Sequence, residues 1–157
     1  MRIILSRLSA IVLAHTLVLA SVHAAGATQD EWRSVAGPVS ARIVRIIDGD
    51  TLLVDAHPWP GHAVRVSVRL RGIDTPERRS TCSQERAAAD LARVELERLV
   101  SGFSTVDLIN VSGGKYYGRV LADLRAGTRD VAAAMLESGL ARPYAGGRRA
   151  KAVCASE

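Results

Sequence analysis

Residues 64–77 read VRVSVRLRGIDTPE, and the other elements of the fold can be placed around them. Over 64–71, apolar residues alternate with arginine and serine, which is typical of a β-strand with one packed face. The other face would meet solvent or a ligand. Gly72 comes next, and a glycine near a strand end often marks a bulge. Such a bulge would turn Asp74 toward the side of Arg69; a plain strand exit is the alternative.

The segments before this strand predict a meander of three strands. Residues 39–48 and 51–56 are rich in β-branched and apolar side chains, and the Asp-Gly pair between them favours a tight turn. A loop is expected over 57–63, which contains two prolines and a glycine. In a meander, the start of the second strand and the end of the third lie at the same edge. Asp50 and Asp74 therefore become neighbours.

Two aspartates brought this close repel each other unless a cation lies between them. A hard divalent cation, bound by oxygen ligands and water, suits such a pair. Asp50 and Asp74 are therefore candidate metal ligands. The alternative reading is that the DGDT segment is only a turn and that DTP only begins a loop.

A helical period replaces the alternation in the next segment. Alanine and leucine recur at helical spacing over 82–102, which predicts an amphipathic helix. Thr81 and Gln84 fit a capping box at its start, and Gly102 fits its end.

Two more strands and a second helix complete the pattern. Strands are expected over 104–111 and 117–127, followed by a helix with Thr128 as N-cap and Gly139 after its last turn. The order β-β-β-α-β-β-α predicts a mainly β protein of the α+β class, with a five-stranded OB-fold barrel spanning 39–145. A generic α+β sandwich is the alternative.

Residues 1–24 have the three parts of a secretory signal peptide. Arginines without acids come first, a short apolar run follows, and small residues precede a possible cut after Ala24. A membrane anchor is the alternative, but the run is shorter than the ~20 residues of a spanning helix. The mature protein is expected to be secreted or periplasmic, without stable membrane insertion. It would keep a flexible leader at 25–38 and a tail at 146–157.

The composition adds two constraints. The chain has 21 basic and 16 acidic side chains, and loss of the signal would leave 19 basic ones. This mild positive charge is compatible with an anionic partner without requiring one. Cys82 and Cys154 would remain, and two cysteines in an exported chain suggest one disulfide. Two free thiols are the alternative.

Four motifs together resemble the staphylococcal nuclease (thermonuclease) family: IDGDT at 47–51, RLRGIDTPE at 69–77, YGR at 117–119 and GLARPY at 139–144. The resemblance covers roughly 39–145. It implies the OB barrel with added helices, and a calcium-dependent phosphodiesterase that acts on DNA and RNA and leaves 3′-phosphate ends. The protein is expected to act as a monomer.

The resemblance also implies roles for single residues, carried over by position. These are calcium ligation by the Asp50 and Asp74 side chains and the Thr75 carbonyl, general-base catalysis by Glu77, and phosphate binding by Arg69 and Arg119. Tyr117 and Tyr144 are candidates for stacking on the nucleotide. The arginine pairs at 78–79 and 148–149 are expected to be solvated surface charges.

Three departures from the family pattern stand out. Lys115 takes the place of an acid, the loop after Glu77 is short, and the chain ends soon after Cys154. A Cys82–Cys154 disulfide could replace the anchoring role of a final helix.

Two other functions compete with the nuclease. One is a non-catalytic OB module that binds nucleic acid, and the other is a structural barrel without such a partner. The complete set of acids and arginines favours the enzyme, because non-catalytic relatives of this kind usually lose some of them.

Overall fold

The computed structural model describes residues 33–149 and residue 154. Within them are two helices, α1 (Ser83–Val100) and α2 (Val131–Glu137), and nine strands. The strands are β1 (Ser34–Val35), β2 (Val39–Asp48), β3 (Thr51–Trp59), β4 (His62–Leu70), β5 (Ile73–Asp74), β6 (Val106–Gly113), β7 (Arg119–Ala126), β8 (Arg129–Asp130) and β9 (Arg142–Pro143). The predicted signal peptide and its cut at Ala24 lie outside the described residues.

The five long strands close into a barrel. In order around the barrel they are β2, β3, β4, β7 and β6, and β6 pairs back with β2. Every pair is antiparallel except β4 with β7, and α1 lies in the chain between β4 and β6, which are the third and fourth barrel strands in sequence. This arrangement confirms the predicted OB-fold barrel of the α+β class. The short strands β1, β5, β8 and β9 were not predicted, because two residues cannot show a period.

Aliphatic side chains fill the barrel, and α1 packs against it. The alternation along β4 is confirmed at its inner end, where Val68 and Leu70 are buried, whereas Val64 near the hairpin is 50% exposed. The core also contains Leu52, Val54, Leu108, Leu124, Ala92 and Leu96. The burial of Ala92 and Leu96 fixes the rotation of α1, which places Ala92 against the turn at Gly49.

Both predicted helix starts are wrong by one or two residues. The N-cap of α1 is Cys82 rather than Thr81, and no side chain caps it. The N-cap of α2 is Asp130, which accepts a hydrogen bond from the Ala133 amide at 3.0 Å. Thr128 cannot cap this helix because the next two residues pair with β7 as β8. The predicted ends at Gly102 and Gly139 are confirmed by their positive φ angles.

The predicted loop at 57–63 is mostly strand. β3 continues to Trp59 and β4 begins at His62, so the connection is a tight hairpin. A register shift between Ala56 and Trp59 accommodates Pro58 there, because a bulge does not need the missing N–H. The end of the leader is also ordered, since Ser34 and Val35 pair with β6. Neither described helix is long and apolar enough to cross a membrane.

Candidate active site

Asp50 and Asp74 come together at one end of the barrel, as predicted, and the guanidinium of Arg69 bridges them. Arg69 Nη1 lies 2.5 Å from Asp50 Oδ1, and Arg69 Nη2 donates to Asp74 Oδ1 at 2.8 Å. The side chains of Arg69, Asp50 and Asp74 are 13%, 2% and 6% exposed, so all three are largely buried. The cation between the two aspartates is thus an arginine that the sequence assigned to phosphate.

Asp50 is held by neighbours on three segments. Its Oδ1 accepts the hydroxyl of Thr51 at 2.7 Å, and its Oδ2 accepts the amide and hydroxyl of Thr75 at 3.1 and 3.0 Å. Its backbone carbonyl accepts the amide of Leu70 at 2.8 Å. Gly49 lies against α1 so closely that an added Cβ would stand 2.6 Å from the Ala92 Cβ. The turn is therefore fixed against both β4 and α1.

Gly72 turns Asp74 to the Arg69 side, as predicted, but through a turn at 71–72 rather than through a bulge. Its φ is +81°, a backbone conformation that residues other than glycine rarely adopt. The next two residues form β5, in which Asp74 pairs with Arg142 of β9. The Tyr144 amide donates to the Gly72 carbonyl at 2.8 Å, so the chain after α2 holds this turn in place.

Arg149 also reaches the acids, and the prediction that it is solvated surface charge is wrong. Its Nε lies 2.9 Å from Asp74 Oδ1, its Nη1 2.8 Å from Glu77 Oε2, and its Nη2 4.0 Å from Asp50 Oδ2. Partial burial opposes its charge, but Asp74, Asp50 and Glu77 outweigh that effect and raise the pKa of Arg149. We call Asp50, Asp74 and Glu77 the acid cluster.

The cysteines supply the signal that could have revealed Arg149. Cys82 and Cys154 form a disulfide, which confirms the predicted pair. Cys82 lies five residues after Glu77, and Cys154 lies five residues after Arg149. Joining the two cysteines therefore brings Arg149 and Glu77 to within a few residues of one cross-link.

Glu77 lies at the open side of the acid cluster. Its side chain is 46% exposed, whereas those of Asp50 and Asp74 are buried. Besides Arg149, it accepts the Arg79 amide through Oε1 at 3.3 Å. Solvent water can therefore reach this carboxylate, as a general base requires.

Arg119 lies on the same face of the barrel as Arg69. β4 and β7 run parallel, with Ser67 opposite Arg119 and Arg69 opposite Leu121. Because alternate residues share a face, the two arginines lie on the same face, offset by two residues along the strands. The guanidinium of Arg119 lies 5.5 Å from the ring centre of Tyr116, and Lys115 approaches the same ring at 5.6 Å. The sequence did not single out Tyr116.

Asp48 adds a fourth carboxylate at the edge of this site. Burial is the main reason that the pKa of Asp48 is raised, and the charges of Asp50 and Glu77 raise it further. Arg78 and Arg119 act in the opposite direction. Arg78 also donates to the Ile47 carbonyl at 3.1 Å, so its role is to hold the first turn.

The two tyrosines behave differently. Tyr144 is half buried, and the guanidinium of Arg69 lies 6.0 Å from its ring centre. Its ring lines a groove of about 670 Å³, together with Gly72, Leu121 and Gly146. Tyr117 is fully exposed in the turn before β7. The structure therefore places Tyr144 beside Arg69, and among the described residues it shows no such contact for Tyr117.

The oxygen donors of the acid cluster fit a hard divalent cation in their chemistry, because calcium prefers carboxylates and carbonyls. Arg149 faces the three carboxylates through three different nitrogen atoms, at 2.8 to 4.0 Å. In the described part of the chain, however, no three His, Cys, Asp or Glu side chains are grouped so as to hold a metal ion. Guanidinium groups occupy the facing oxygens instead. Thr75 contributes donors to Asp50 here, and its predicted carbonyl ligand stays a prediction.

The chain matches the model of a known protein family. A family model described as staphylococcal nuclease homologue matches residues 67–153, more than half of the 157-residue chain. No curated protein matched the chain. The matched span includes Arg69, Asp74, Glu77, Arg119 and Arg149, and the barrel brings Asp50 to them from outside it.

Proposed function

The chain belongs to the staphylococcal nuclease family, and from this premise we propose that it is a calcium-dependent nuclease acting on DNA and RNA. Its products would carry 3′-phosphate and 5′-hydroxyl ends. The observation that supports the proposal is the convergence of Asp50, Asp74 and Glu77 with Arg69 at one end of an OB barrel. Hydrolysis of a phosphodiester needs carboxylates that hold a metal ion and activate water, and cations that bind the phosphate.

The proposed roles of the three carboxylates follow from how far each is exposed to solvent. Asp50 and Asp74 are buried and would hold the calcium ion, together with the carbonyl of Thr75. When bound, the ion would supply positive charge next to the scissile phosphate. Glu77 is the exposed member of the cluster, so it is the carboxylate that a substrate water can approach.

Glu77 would act as the general base. The oxygen of a water molecule attacks phosphorus, and the Glu77 carboxylate takes the proton that the water loses. The bond between phosphorus and the 5′-oxygen breaks, and that oxygen leaves as a hydroxyl after taking a proton from solvent. A 3′-phosphate remains on the other fragment.

Arg69 and Arg119 would bind the phosphate oxygens, on which negative charge grows during attack. A guanidinium can donate two parallel hydrogen bonds to such a group. The parallel pairing of β4 and β7 places both arginines on one face, which supports a shared phosphate between them. Arg69 would then exchange its contacts with the aspartates for contacts with substrate.

The groove beside Arg69 is the proposed seat of the nucleotide. Tyr144 offers a ring on which a base can stack, and the OB fold often binds extended single strands in this way. The disulfide supports the further proposal that the protein is exported, secreted or periplasmic, because such bonds persist in oxidising compartments.

A digest tests the proposal directly. Plasmid DNA and RNA are incubated with the purified protein in calcium, and then in calcium with excess chelator. We expect cleavage only where calcium is free, and fragments whose 3′ ends become substrates for ligation or extension only after phosphatase treatment. The Glu77→Gln variant, purified identically, controls for contaminating nucleases. Its turnover should fall by ~10²–10⁴-fold.

Two results would contradict the proposal. Absence of calcium-dependent cleavage would rule out the proposed nuclease activity. Binding to a labelled oligonucleotide without cleavage would favour the non-catalytic OB module instead. Full activity in Glu77→Gln would rule out Glu77 as the general base and leave the nuclease proposal intact.

A further inference from the structure

Two fixed points flank Arg149 in the chain after β9. On one side, Tyr144 is held by its amide bond to Gly72 and by its hydroxyl, which donates to the Gly147 carbonyl at 2.7 Å. On the other side, Cys154 is bonded to Cys82 at the start of α1. Arg149 lies five residues from each of these points. Its position over the acids is therefore set from both ends.

We propose that Arg149 is a residue of the active site, an internal cation that a divalent metal ion must displace from the acid cluster. Arg149 contacts Asp74 and Glu77 directly and faces Asp50 at 4.0 Å. These are the carboxylates assigned to the metal and to the base under the proposed function, on which this inference rests. A guanidinium and a calcium ion cannot both occupy the same carboxylate oxygens.

Arg149 competes well because it is part of the chain. A tethered group acts at an effective concentration that its linker sets, which can reach the millimolar range for short linkers. Arg149 is also 42% exposed, so it can move out toward solvent without breaking the buried core. The Arg69 side chain is only 13% exposed, so it cannot move out to solvent in this way, and its exchange toward substrate would take place within the site. Arg149 is thus the cation that leaves.

The displacement has a second consequence for Glu77. While Arg149 donates to its Oε2, that oxygen is engaged with a cation and is not available to a water proton. Release of Arg149 frees the Glu77 carboxylate and opens the acid cluster in one movement. The tail therefore couples metal binding to exposure of the base, and it sets the calcium concentration at which the site becomes competent.

Calcium affinity, rather than activity, provides the test. Apparent dissociation constants are obtained from isothermal titration with CaCl₂ and from the rise of the melting temperature with calcium at constant ionic strength. Arg149→Ala is compared with Arg148→Ala, which removes the same charge from the adjacent residue. Arg148 is exposed and is not part of the acid cluster. Comparing the two variants therefore separates the effect of the arginine's position on calcium affinity from the effect of net charge.

We expect Arg149→Ala to bind calcium about tenfold more tightly than the wild type, the scale of two part-exposed ion pairs lost as competitors. Arg148→Ala should bind like the wild type. Equal affinities in the two variants would overturn the inference and leave the calcium proposal intact. Absence of calcium binding in all three proteins would overturn both.

The disulfide provides an independent arm of the same test. Mild reduction that leaves the barrel folded, as judged by circular dichroism, should raise calcium affinity in the wild type because the tail is then held at one end only. The same treatment should leave the affinity of Arg149→Ala unchanged. An equal rise in both proteins would show that the tail acts without Arg149, contrary to the inference.

Discussion

Arg69 donates to Asp74 at 2.8 Å, although strict alternation along β4 would place the two side chains on opposite faces. Gly72, between them, has a φ of +81° and reverses the sense of the alternation. The contact therefore depends on one backbone conformation. It also explains how a single guanidinium can bridge Asp74 to Asp50, which comes from a different turn.

Arg69→Lys should weaken both stability and activity. A lysine keeps the charge, but a single ammonium cannot reproduce the fork between two buried carboxylates. We expect the free energy of unfolding to fall by ~1–3 kcal/mol, because one buried carboxylate loses a charged donor. The kcat/KM should fall roughly 10²-fold, as for loss of one transition-state donor. Chemical denaturation and a fluorescent oligonucleotide assay measure the two effects.

Arg78→Lys is the matched control for this change. Arg78 also contacts two carboxylates near the site, Asp48 and Asp90, but its side chain is 46% exposed. Exposed ion pairs contribute only about 0–1 kcal/mol. If Arg78→Lys costs as much as Arg69→Lys in both assays, the bridge has no special importance.

Gly72→Ala tests the backbone conformation by itself. No heavy atom lies within 4 Å of the added Cβ, so the change introduces no clash and only disfavours the positive φ. We expect a loss of about 1–2 kcal/mol in the free energy of unfolding. Activity should fall further than stability explains, because the turn carries Asp74. Activity measured well below the melting temperature separates the two contributions.

Gly49→Ala should destabilise for a different reason. Its Cβ would stand 2.6 Å from the Ala92 Cβ and 3.1 Å from Thr75 Cγ2, so α1 or the turn must move. Overpacking of this kind costs about 1–3 kcal/mol. Gly113→Ala is the control, because its Cβ meets open space. Equal melting temperatures for the two variants would contradict the close packing of the turn on α1.

These glycines show how far the sequence could lead. The alternation of β4 and the Asp-Gly turn predicted the meander, because burial on one face fixes the period of a strand. The same reasoning placed Asp50 beside Asp74 and proposed a bulge at Gly72. The starts of α1 and α2 were misplaced, because α1 begins after Cys82 without a side-chain cap and the short strand β8 delays the start of α2 to Asp130.

The site was less predictable than the fold. Arg149 contacts Glu77, 72 residues earlier in the chain, and no local period connects the two. Its placement depends on the pairing of β5 with β9 and on the disulfide. Arg69 lies in the site as expected, and its role in binding phosphate stays a prediction. Its contacts with both aspartates depend on a meeting of separate segments in three dimensions that motif spacing does not encode.

Reduction of the disulfide should lower the melting temperature. The bond closes a separation of 72 residues between Cys82 and Cys154. A native disulfide typically contributes about 2–4 kcal/mol, largely by restricting the unfolded chain. Thermal melts with and without a phosphine reductant measure the effect. The Cys82→Ala/Cys154→Ala double variant is the control and should not respond to reductant; an unchanged wild-type melt would show that the bond does not anchor the tail.

Asp55 should make the protein sensitive to acid. It lies on β3 opposite Arg42 of β2 and Arg65 of β4, and accepts Arg65 Nε at 2.8 Å and Arg42 Nη2 at 3.0 Å. The hydrogen bond from Arg65 is the main reason that the pKa of Asp55 is lowered from 3.8. Because the folded value is below the unfolded one, this stabilisation is present above pH 3.8 and is lost as the pH falls through the folded pKa.

The expected result is a difference between two titration curves. From about pH 7 to about pH 2, the free energy of unfolding of the wild type should fall more steeply than that of Asp55→Asn. The two proteins should converge at the acid end, where protonated Asp55 no longer attracts either arginine. Glu137→Gln, an exposed change at the end of α2, should run parallel to the wild type. High salt should narrow the gap at neutral pH, because Arg42 and Arg65 are exposed and their charges are screened. Parallel curves for the wild type and Asp55→Asn would mean that the arginines do not hold this carboxylate in solution.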